Sequence, residues 1–391
     1  MEKRVFIIVL DSLGIGCMPD AGLFGDKGAN TLKSISRSGF FRVRVMKSLG
    51  LFNIEGVESG GRAGAPSASF ARMHEKSAGK DTTVGHWEIA GLISASPMPT
   101  FPEGFPRPLI DEFSKLTSRG VLCNRPYSGT EALKDYGEEH IRTGKLIVYT
   151  SADSVFQVAA HEDVVPVGEL YDICKKARAL LTGEYAVGRV IARPFSGASS
   201  ADFARTKNRH DFSLAPPADT LLDLLQRAGY ETIGVGKIYD IFSGKGISDS
   251  IPTKSNLEGM QAAARLQERE FRGLAFINLV EFDMLYGHRN DVDGYAKALS
   301  EFDALLEGFI GGMGENDVLI ITADHGCDPG FAASTDHTRE YTPMLIYGNP
   351  VAVGVDLGTR ESFADISATV LDFFGVENSI DGESFAREVF F

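Results

Sequence analysis

Short, almost wholly apolar runs recur along this chain, and they limit its fold more than any other feature. The runs are rich in Val and Ile, and none alternates apolar with polar residues as a half-exposed strand would. Strands of this kind are buried on both faces, as in a mainly parallel sheet covered by helices. The runs are residues 5–10, 146–150, 189–192, 231–236, 274–280 and 318–322.

The segments between these runs include stretches with apolar residues at helical spacing. The clearest are Thr220–Ala228 and Tyr295–Ile310, where apolar side chains recur at i, i+3 and i+4. Strand and helix therefore alternate, which predicts an α/β fold with a mainly parallel sheet. Residues 57–73 are rich in Gly, Ala and Ser, and we predict a surface loop there.

A change of composition in the middle of the chain indicates a second domain. The 391 residues are too many for one ordinary compact core. Residues 96–108 are rich in proline and residues 193–217 are polar and irregular, which is typical of domain boundaries. We predict a core domain of residues 1–97 and 217–391, with a smaller α/β cap domain, residues 98–216, inserted into it.

Charge, hydropathy and cysteine content exclude several classes of protein. A net charge of −14 argues against nucleic acid and anionic membranes as partners, but not against a small phosphorylated substrate. No run approaches the roughly 20 apolar residues of a membrane span, and the N-terminal run has no cleavage site of a secretory signal. We expect a cytoplasmic protein without a disulfide framework or zinc ribbon, because no Cys-x-x-Cys pair joins Cys17, Cys123, Cys174 and Cys327.

Acidic residues follow three of the apolar runs. Asp11 ends the first run, Glu281 and Asp283 follow the fifth, and Asp324 follows the last. Because ligands bind beyond the carboxyl ends of the strands in open α/β sheets, we expect these side chains to meet at one edge. A single Asp at such a place is ordinarily a turn former or a helix cap. Three strands that each deliver an acidic group to the same edge are not explained by capping.

Histidines close to these acids complete the pattern of a metal centre. Carboxylate and imidazole ligands together favour Mn²⁺, Zn²⁺ or Fe²⁺ over Mg²⁺ or Ca²⁺. Two metal ions about 3.5–4 Å apart are a common device for in-line phosphoryl displacement. The sequence therefore predicts a two-metal centre for phosphoryl transfer. Its candidate ligands are Asp11, Asp283, His288, Asp324, His325 and His337.

Residues 79–91 contain a candidate nucleophile. Thr82 and Thr83 stand just before a helix-like run, where a hydroxyl meets unpaired backbone N–H groups and the positive end of the helix dipole. Such a cradle suits phosphate, and metal coordination would activate the hydroxyl. An ordinary N-cap threonine is the alternative reading, and the start of a helix permits either residue.

Several longer motifs point to one family. They are Asp11–Gly16, Gly79–Thr82 with Gly85–Glu88, Thr150–Ser154, Asn208–Asp211, Thr322–Gly326 and Asp336–Glu340. As a set they resemble the bacterial phosphopentomutase family of the alkaline phosphatase superfamily, and the similarity runs nearly end to end. The resemblance implies an alkaline-phosphatase-type core with an inserted cap, two Mn²⁺ ions per chain, and a sugar bisphosphate as phosphorylating activator.

The resemblance also divides the candidate ligands into two sets. The first, called the Asp11 set below, is Asp11, Asp324 and His325, together with the nucleophile. The second, the Asp283 set, is Asp283, His288 and His337. Thr82 is implied to be the residue that becomes phosphothreonine, since Val84 stands where a third Thr is often found in the family.

The same resemblance implies contacts with the substrate. Ser151 and Asp153 would hydrogen-bond the pentose. The residues implied to clamp the phosphate that is not transferred are Arg189, Arg205 and Lys237, with Arg193 and Arg209 as alternatives. The planar fork of arginine suits phosphate oxygens.

The implied activity is an isomerase reaction on a small molecule. It interconverts (deoxy)ribose 1-phosphate and (deoxy)ribose 5-phosphate through a phosphothreonine enzyme and a 1,5-bisphosphate. The cap would exclude water, with hinges near residues 95–100 and 213–218. Alternatives are a cofactor-independent phosphoglycerate mutase, which is typically longer and uses Ser, a phosphatase, and a non-catalytic sugar-phosphate-binding protein. The oligomeric state is not predicted.

Cys327 and the loop that it begins, residues 327–335, also depart from the family pattern near the predicted centre. Cys327 stands where Asn is common after the Asp-His-Gly motif. We expect this change to leave the metal ligands untouched, because a cysteine at such a place is usually a small buried apolar residue.

Overall fold

A computed structural model of the chain describes residues 3–151, 153–377 and 379–391. Ala152, part of the Thr150–Ser154 motif, lies outside the described residues. The strands are β1 (Arg4–Leu10), β2 (Ser69–Met73), β3 (Val121–Pro126), β4 (Leu146–Thr150), β5 (Val155–His161), β6 (Arg189–Ser196), β7 (Ala204–Arg205), β8 (His210–Ser213), β9 (Glu231–Val235), β10 (Asp249–Ile251), β11 (Gly273–Leu279), β12 (Asp317–Thr322), β13 (Thr342–Tyr347) and β14 (Asp356–Arg360).

Helices of three kinds connect the strands and follow the last of them. The α-helices are α1 (Thr31–Ile35), α2 (Val45–Leu49), α3 (Thr82–Ile89), α4 (Arg107–Thr117), α5 (Gly129–Thr143), α6 (Val167–Leu180), α7 (Leu221–Arg227), α8 (Ile238–Ile241), α9 (Asn256–Glu268), α10 (Val292–Gly311), α11 (Ala364–Phe374) and α12 (Ala386–Val389). A π-helical turn covers Phe282–Tyr286, and 3₁₀ turns cover Ala21–Phe24, Leu51–Asn53, Gly183–Tyr185 and Gly287–Arg289.

The chain divides into two compact units. The first consists of Met1–Pro97 and Pro216–Phe391, and the second of Met98–Ala215. The predicted domains place Pro216 in the second unit instead of the first. Among the described residues, no helix combines the length and apolar character that a membrane crossing needs.

An eight-stranded sheet forms the centre of the first unit, with the order β10-β9-β11-β1-β12-β13-β2-β14. The five strands from β10 to β12 are mutually parallel. In β1, β11 and β12 every residue from the second onward is buried, as the uniformly apolar runs predicted. This confirms the predicted α/β fold with a mainly parallel sheet covered by helices.

The register of the three central strands positions the candidate ligands. Strand β1 lies between β11 and β12, with Leu10 opposite Leu279 and Val9 opposite Thr322. The residues that follow the three strands therefore leave the sheet at the same edge and at the same level. This arrangement brings together side chains that are about three hundred residues apart in the sequence.

The predicted loop at residues 57–73 is wrong at its C-terminal end. Ser69–Met73 forms β2, a mostly buried strand that pairs with β13 on one side and β14 on the other. The Ser69 hydroxyl is satisfied by the carbonyl of Ala352, at 2.6 Å. Pairing partners far away in the sequence decided this strand, since its own residues have weak strand preference.

The two predicted helices of the first unit are confirmed. Helix α7 begins after Thr220, whose side chain forms a capping box with Asp223. Helix α10 begins at Val292, before the predicted start, because the side chain of Asp291 accepts a hydrogen bond from Gly294 N.

The second unit contains a sheet with the order β3-β4-β5-β6-β7, and β8 pairs with β6. One face packs against α4 and α6, and the other packs against α5. On the α5 face a row of residues lies in register across four strands: Tyr149, Gln157, Ile191 and Asp211. This row is mostly polar, although Tyr149 and Gln157 are buried.

Candidate active site

Three buried carboxylates lie beyond the ends of the central strands. Asp11, Asp283 and Asp324 follow β1, β11 and β12 and are almost completely buried. One oxygen of each makes no hydrogen bond within the described residues: Asp11 Oδ1, Asp283 Oδ1 and Asp324 Oδ2. A buried carboxylate oxygen without a hydrogen-bond donor destabilises the protein unless a cation binds it, so this cluster is suited to bind cations.

The structure brings the three residues of the Asp11 set close together. His325 Nε2 lies 3.5 Å from Asp11 Oδ1 and 3.3 Å from Asp324 Oδ2, and all three side chains are fully buried. Their ligand atoms lie within 4.8 Å of one another. One divalent cation fits this arrangement.

The residues of the Asp283 set also lie close together. His288 Nε2 is 3.2 Å from Asp283 Oδ2, and His337 Nε2 is 3.4 Å from Asp283 Oδ1. The two imidazole Nε2 atoms are 3.1 Å apart. The ring of His337 stacks on that of His325 with centroids 4.0 Å apart, so the two sets are neighbours.

The histidines are oriented by backbone carbonyl groups. Nδ1 of His288 lies 2.6 Å from Thr335 O, Nδ1 of His325 lies 3.0 Å from Gly326 O, and Nδ1 of His337 lies 3.0 Å from Lys80 O. A carbonyl oxygen only accepts hydrogen bonds, so each Nδ1 carries a proton and each Nε2 is directed toward the carboxylates. Ligating histidines are commonly held in this way.

Burial and neighbouring charges strongly shift the pKa values of the ionisable groups in the centre. Burial, reinforced by the carboxylates of Asp324 and Asp283, raises the pKa of Asp11 well above its usual value. Burial lowers the pKa of His325 to about 4. Burial opposes protonation of His337 as well, but the carboxylate of Asp283 raises its pKa to about 9. The donor types, their orientation and the unsatisfied oxygens together fit divalent metal ions.

Thr82 lies beside the Asp11 set at the start of α3. Its Oγ1 is 3.1 Å from His325 Nε2. The prediction that a threonine precedes the helix is wrong by one position: Asp81 is the N-cap and Thr82 is the first helical residue. Asp81 accepts hydrogen bonds from Thr83 N and Val84 N, both at 3.1 Å, so these two N–H groups are not an open phosphate cradle.

Glycine at position 85 allows α3 to reach the centre. A Cβ atom there would overlap the backbone carbonyl of Asp324. Because Asp324 is fixed at the end of β12, any side chain would push α3 and Thr82 away from His325. The structure thus brings Thr82 to the candidate ligand His325, and no comparable contact joins the Thr83 hydroxyl to a candidate ligand among the described residues.

Two basic residues that the prediction gave no role hold the Thr82 segment. Lys80 Nζ donates to His337 O at 2.6 Å, while His337 Nδ1 donates to Lys80 O. Arg339, which is buried, donates to Gly79 O at 2.6 Å and to Glu75 Oε2 at 2.7 Å. The segment before Thr82 and the loop that carries His337 are therefore fixed to each other.

A buried polar bridge lies behind the Asp11 set, and the prediction missed it. Asn278 Nδ2 donates to Asp11 Oδ2 at 2.7 Å and lies 3.2 Å from His86 Nε2. Nδ1 of His86 lies 2.8 Å from Thr82 O and 3.1 Å from Asp324 Oδ2. Two signals were present in the sequence: a lone Asn inside an apolar run, and a His one helical turn after the candidate nucleophile.

Cys327 is buried, as expected, and it lies near two of the candidate ligands. Its Sγ lies within 4.8 Å of ligand atoms of Asp283 and His288. The sulfur also packs closely against Gly287, where an added Cβ atom would lie only 2.8 Å from it. Burial and the neighbouring carboxylates raise the pKa of Cys327 far above its usual value, so the thiol is protonated at neutral pH.

The candidate substrate residues separate between the two units. Ser151, Asp153, Arg189 and Arg205 line one cavity of about 430 Å³ in the second unit, together with the alternatives Arg193 and Arg209. Lys237 is in the first unit, at the start of α8, where its charge lowers the pKa of Asp11. The structure therefore groups the arginines with one another and Lys237 with the candidate metal ligands.

Comparison with known proteins shows the family of the chain. Residues 3–378 match the family model of the metalloenzyme superfamily. The phosphopentomutase of Lachnoclostridium phytofermentans is 58% identical over 387 residues, which is 99% of each chain. The phosphopentomutase of Caldanaerobacter subterraneus subsp. tengcongensis is 54% identical over 389 residues, 100% of this chain and 98% of the other. The PH0037 protein of Pyrococcus horikoshii has a similar fold, with a TM-score of 0.51, 13% identity, and coverage of 97% and 98%.

The match to the family model, together with the buried acid and histidine cluster, defines a metal-dependent enzyme of the metalloenzyme superfamily. Within that class, sequence identities above 50% to the phosphopentomutases, over almost the whole length, show the family. The chain belongs to the phosphopentomutase family and is an isomerase that transfers a phosphoryl group.

Proposed function

We propose that this enzyme interconverts the 1-phosphate and 5-phosphate of ribose or deoxyribose, with Thr82 as the residue that carries the phosphoryl group. The observation that carries the proposal is the position of Thr82 Oγ1, 3.1 Å from His325 Nε2 and beside two buried carboxylates with unsatisfied oxygens. A hydroxyl at such a place is suited to accept and return a phosphoryl group. The names of the relatives support the choice of a pentose phosphate as substrate.

We further propose that the two sets bind two Mn²⁺ ions, one in each. The mixture of carboxylate oxygen and imidazole nitrogen suits Mn²⁺ as well as Zn²⁺ and Fe²⁺. Two divalent ions would neutralise charge on the phosphoryl oxygens and lower the pKa of the Thr82 hydroxyl. The orientation of the three histidines by backbone carbonyls supports this ligand set.

The exchange of phosphoryl groups is balanced by the exchange of a proton. The bond between phosphorus and Oγ1 of phosphorylated Thr82 breaks as a new bond forms to the free hydroxyl of the pentose monophosphate, and the hydroxyl proton passes to Thr82. The resulting 1,5-bisphosphate then returns its other phosphoryl group to Thr82. Catalysis consists of positioning and charge neutralisation. The sugar bisphosphate therefore also serves as the activator that first phosphorylates the enzyme.

The second unit would bind the sugar phosphate. Ser151 and Asp153 lie at the turn between β4 and β5, on the rim of the cavity, where Asp153 N lies 3.3 Å from Ser151 Oγ. A carboxylate at such a rim can accept hydrogen bonds from two sugar hydroxyls. The arginines of the same cavity would bind the phosphate that is not transferred. A cytoplasmic location stays a prediction from the sequence.

Mass spectrometry tests the role of Thr82 directly. After incubation with ribose 1,5-bisphosphate, intact mass and a peptide map should show a single phosphate on Thr82. The variant Thr82→Ala should lose isomerase activity and keep its metal content, while the matched control Thr83→Ala should retain both. Phosphate on Thr83, or an active Thr82→Ala enzyme, would contradict the assignment.

Two further measurements test the metals and the reaction. Dialysis against EDTA should abolish activity, and Mn²⁺ should restore it best; an enzyme fully active without metal would refute the two-metal proposal. Release of inorganic phosphate from ribose 5-phosphate should be slow compared with isomerisation. Net phosphate release at the same rate would indicate a phosphatase instead.

A further inference from the structure

His86, which the proposed function leaves without a role, lies in the middle of a buried polar chain in the first unit. Its side chain is fully buried and packs against the ring of Phe276, with ring centroids 5.8 Å apart. A polar ring in such a place destabilises the protein unless its nitrogens find hydrogen-bond partners. Both nitrogens of His86 have partners, and these lead to Thr82 on one side and to the Asp11 set on the other.

The partners of His86 determine which ring nitrogen carries the proton. Nδ1 lies 2.8 Å from Thr82 O, and a carbonyl oxygen only accepts hydrogen bonds, so Nδ1 is the donor. Nε2 lies 3.2 Å from Nδ2 of Asn278, and an amide nitrogen only donates, so Nε2 is the acceptor. The ring therefore supplies one donor and one acceptor, and exchanging them would break both hydrogen bonds.

Asn278 connects His86 to the Asp11 set. The same Nδ2 donates its second hydrogen atom to Asp11 Oδ2, at 2.7 Å. Three hydrogen bonds therefore join the backbone of Thr82 to the carboxylate of Asp11, through His86 and Asn278. Asp324 lies beside this chain: its Oδ2 is 3.1 Å from Nδ1 of His86 but makes no hydrogen bond, so this oxygen stays open to a cation.

Other residues of α3 hold the helix as a whole. The carboxylate of Glu88 accepts a hydrogen bond from Ser77 N at 2.6 Å, and Nε1 of Trp87 donates to Ile241 O at 3.2 Å. These contacts do not involve the imidazole of His86. We therefore expect a change of polar atoms at His86 to shift the first turn of α3 locally and to leave the helix in place.

The first turn of α3 is where a small shift matters for the reaction. Thr82 is the first residue of the helix, and the first N–H groups of a helix have no partners within it. Thr82 Oγ1 lies 3.1 Å from His325 Nε2. A misplacement of reacting atoms by about 1 Å can lower a rate by roughly 100-fold. A side chain that ties this turn to the Asp11 set therefore affects the rate without touching the substrate.

We propose that His86 is a positioning residue of the isomerase: it fixes Thr82 relative to the Asp11 set by donating from Nδ1 to Thr82 O and accepting at Nε2 from Asn278. The inference rests on the proposed function, in which Thr82 carries the phosphoryl group. The two nitrogens have separate tasks. Nδ1 sets the position of the nucleophile, and Nε2 orients the amide that holds the carboxylate of Asp11.

Two substitutions separate these tasks. The amide of His86→Gln reaches about as far as Nε2, so its oxygen can accept from Asn278, but no group donates to Thr82 O. The amide of His86→Asn ends at the level of Nδ1, so its NH₂ group can donate to Thr82 O, while Asn278 loses an acceptor.

The two variants should rank in opposite order in two measurements. At saturating Mn²⁺, His86→Gln should lower kcat for ribose 5-phosphate by about tenfold or more, and His86→Asn should lower it less. In isothermal titration of the metal-free protein with Mn²⁺, His86→Asn should weaken the step assigned to the Asp11 set by about 3- to 10-fold, and His86→Gln should weaken it less.

The matched control is His140→Asn in α5 of the second unit. His140 is also fully buried, with Nδ1 bonded to Lys145 O and Nε2 accepting from His161 N at 2.8 Å. This variant should have a lower Tm and unchanged Mn²⁺ binding, because the candidate metal ligands are in the other unit. Weakening of Mn²⁺ binding as large as in His86→Asn would indicate general destabilisation and overturn the proposal.

Every pattern of results decides the proposal. The reversed order of the two variants supports it, whereas the same order in both measurements, or no change in either variant, overturns it. Should a His86 variant lack a cooperative melting transition, Asn278→Leu decides. It leaves His86 without its donor, so kcat at saturating Mn²⁺ should fall by about threefold or more, and an unchanged kcat overturns the proposal. A wild-type enzyme that ribose 1,5-bisphosphate does not phosphorylate on Thr82 would instead refute the proposed function.

Discussion

Replacing Asn278 by leucine should weaken metal binding at the Asp11 set and leave the Asp283 set unchanged. Asn278 donates a hydrogen bond of 2.7 Å to Asp11 Oδ2, in a place from which water is excluded. The other carboxylate oxygen of Asp11 makes no hydrogen bond and faces His325 at 3.5 Å. This hydrogen bond favours the ionised form of Asp11, against the burial that raises its pKa, and holds the carboxylate in one orientation, as a metal ligand requires. Leucine is similar in size and removes only the polar groups.

The size of the effect follows from the bond that is lost. A buried hydrogen bond to a charged group contributes about 1.5–3 kcal/mol, which corresponds to a loss of roughly 10- to 100-fold in metal affinity. Loss of an outer partner of a metal ligand has an effect of the same order. The metal-free protein should lose little stability, because burial raises the pKa of Asp11 and Asn278 Oδ1 is itself buried without a partner.

Isothermal titration of the metal-free protein with Mn²⁺ provides the assay. Two binding steps are expected in the wild type, and the step assigned to the Asp283 set serves as an internal reference. The control variant is Asn53→Leu, which removes two hydrogen bonds to Ala63 elsewhere in the first unit. It should lower Tm with no change in either binding step.

The reasoning would be refuted if both steps were unchanged in Asn278→Leu, or if both were weakened equally. A fall in Tm of the metal-free variant as large as that of Asn53→Leu would mean that the amide serves the fold and not the metal. A drop confined to the Tm of the metal-loaded variant agrees with the prediction.

Three other experiments test separate parts of the structure. Glu340→Gln should have a free energy of unfolding in urea close to that of the wild type, whereas Glu340→Ala should lose about 3 kcal/mol or more. One oxygen of the Glu340 carboxylate accepts from two backbone N–H groups, and a glutamine oxygen can do the same. The other oxygen accepts from two hydroxyl groups, which can instead accept hydrogen bonds from a glutamine NH₂ group. Asp153→Ala should lower kcat/KM for ribose 5-phosphate more than hydrolysis of p-nitrophenyl phosphate, and equal losses would deny it a role in sugar recognition. Iodoacetamide at neutral pH should modify Cys327 only after unfolding, since its thiol is buried with a strongly raised pKa; rapid labelling of the native protein would contradict this.

Much of the first unit was predictable from the sequence because local pattern and burial agree there. The apolar runs that end in Asp11, Asp283 and Asp324 are strands in the structure, and they are neighbours in the sheet. The acids that follow were expected at one edge for a general reason, the direction of parallel strands. Strand β2 was missed because Ser69–Met73 carries no strong strand signal of its own and depends on β13 and β14.

The candidate nucleophile, Thr82, shows what local reasoning could not predict. The start of a helix near Thr82 was visible in the sequence, but its first residue and its cap were not. Asp81 takes the N-cap position, and packing of Gly85 against the backbone of Asp324 sets the distance of Thr82 from His325. Neither contact is encoded within a few residues of Thr82.

By itself, therefore, the sequence determined the alternation of strand and helix, the acidic residues at strand ends and the presence of histidines beside them. Hydrophobic periodicity is a local property of the sequence, so it can be recognised without knowledge of the fold. Only the tertiary structure decided the partners of these residues: the amide of Asn278 behind Asp11, the sulfur of Cys327 near Asp283, and Arg205 at the start of α5. Such contacts depend on strand order, register and close packing across distant segments, which no single segment specifies.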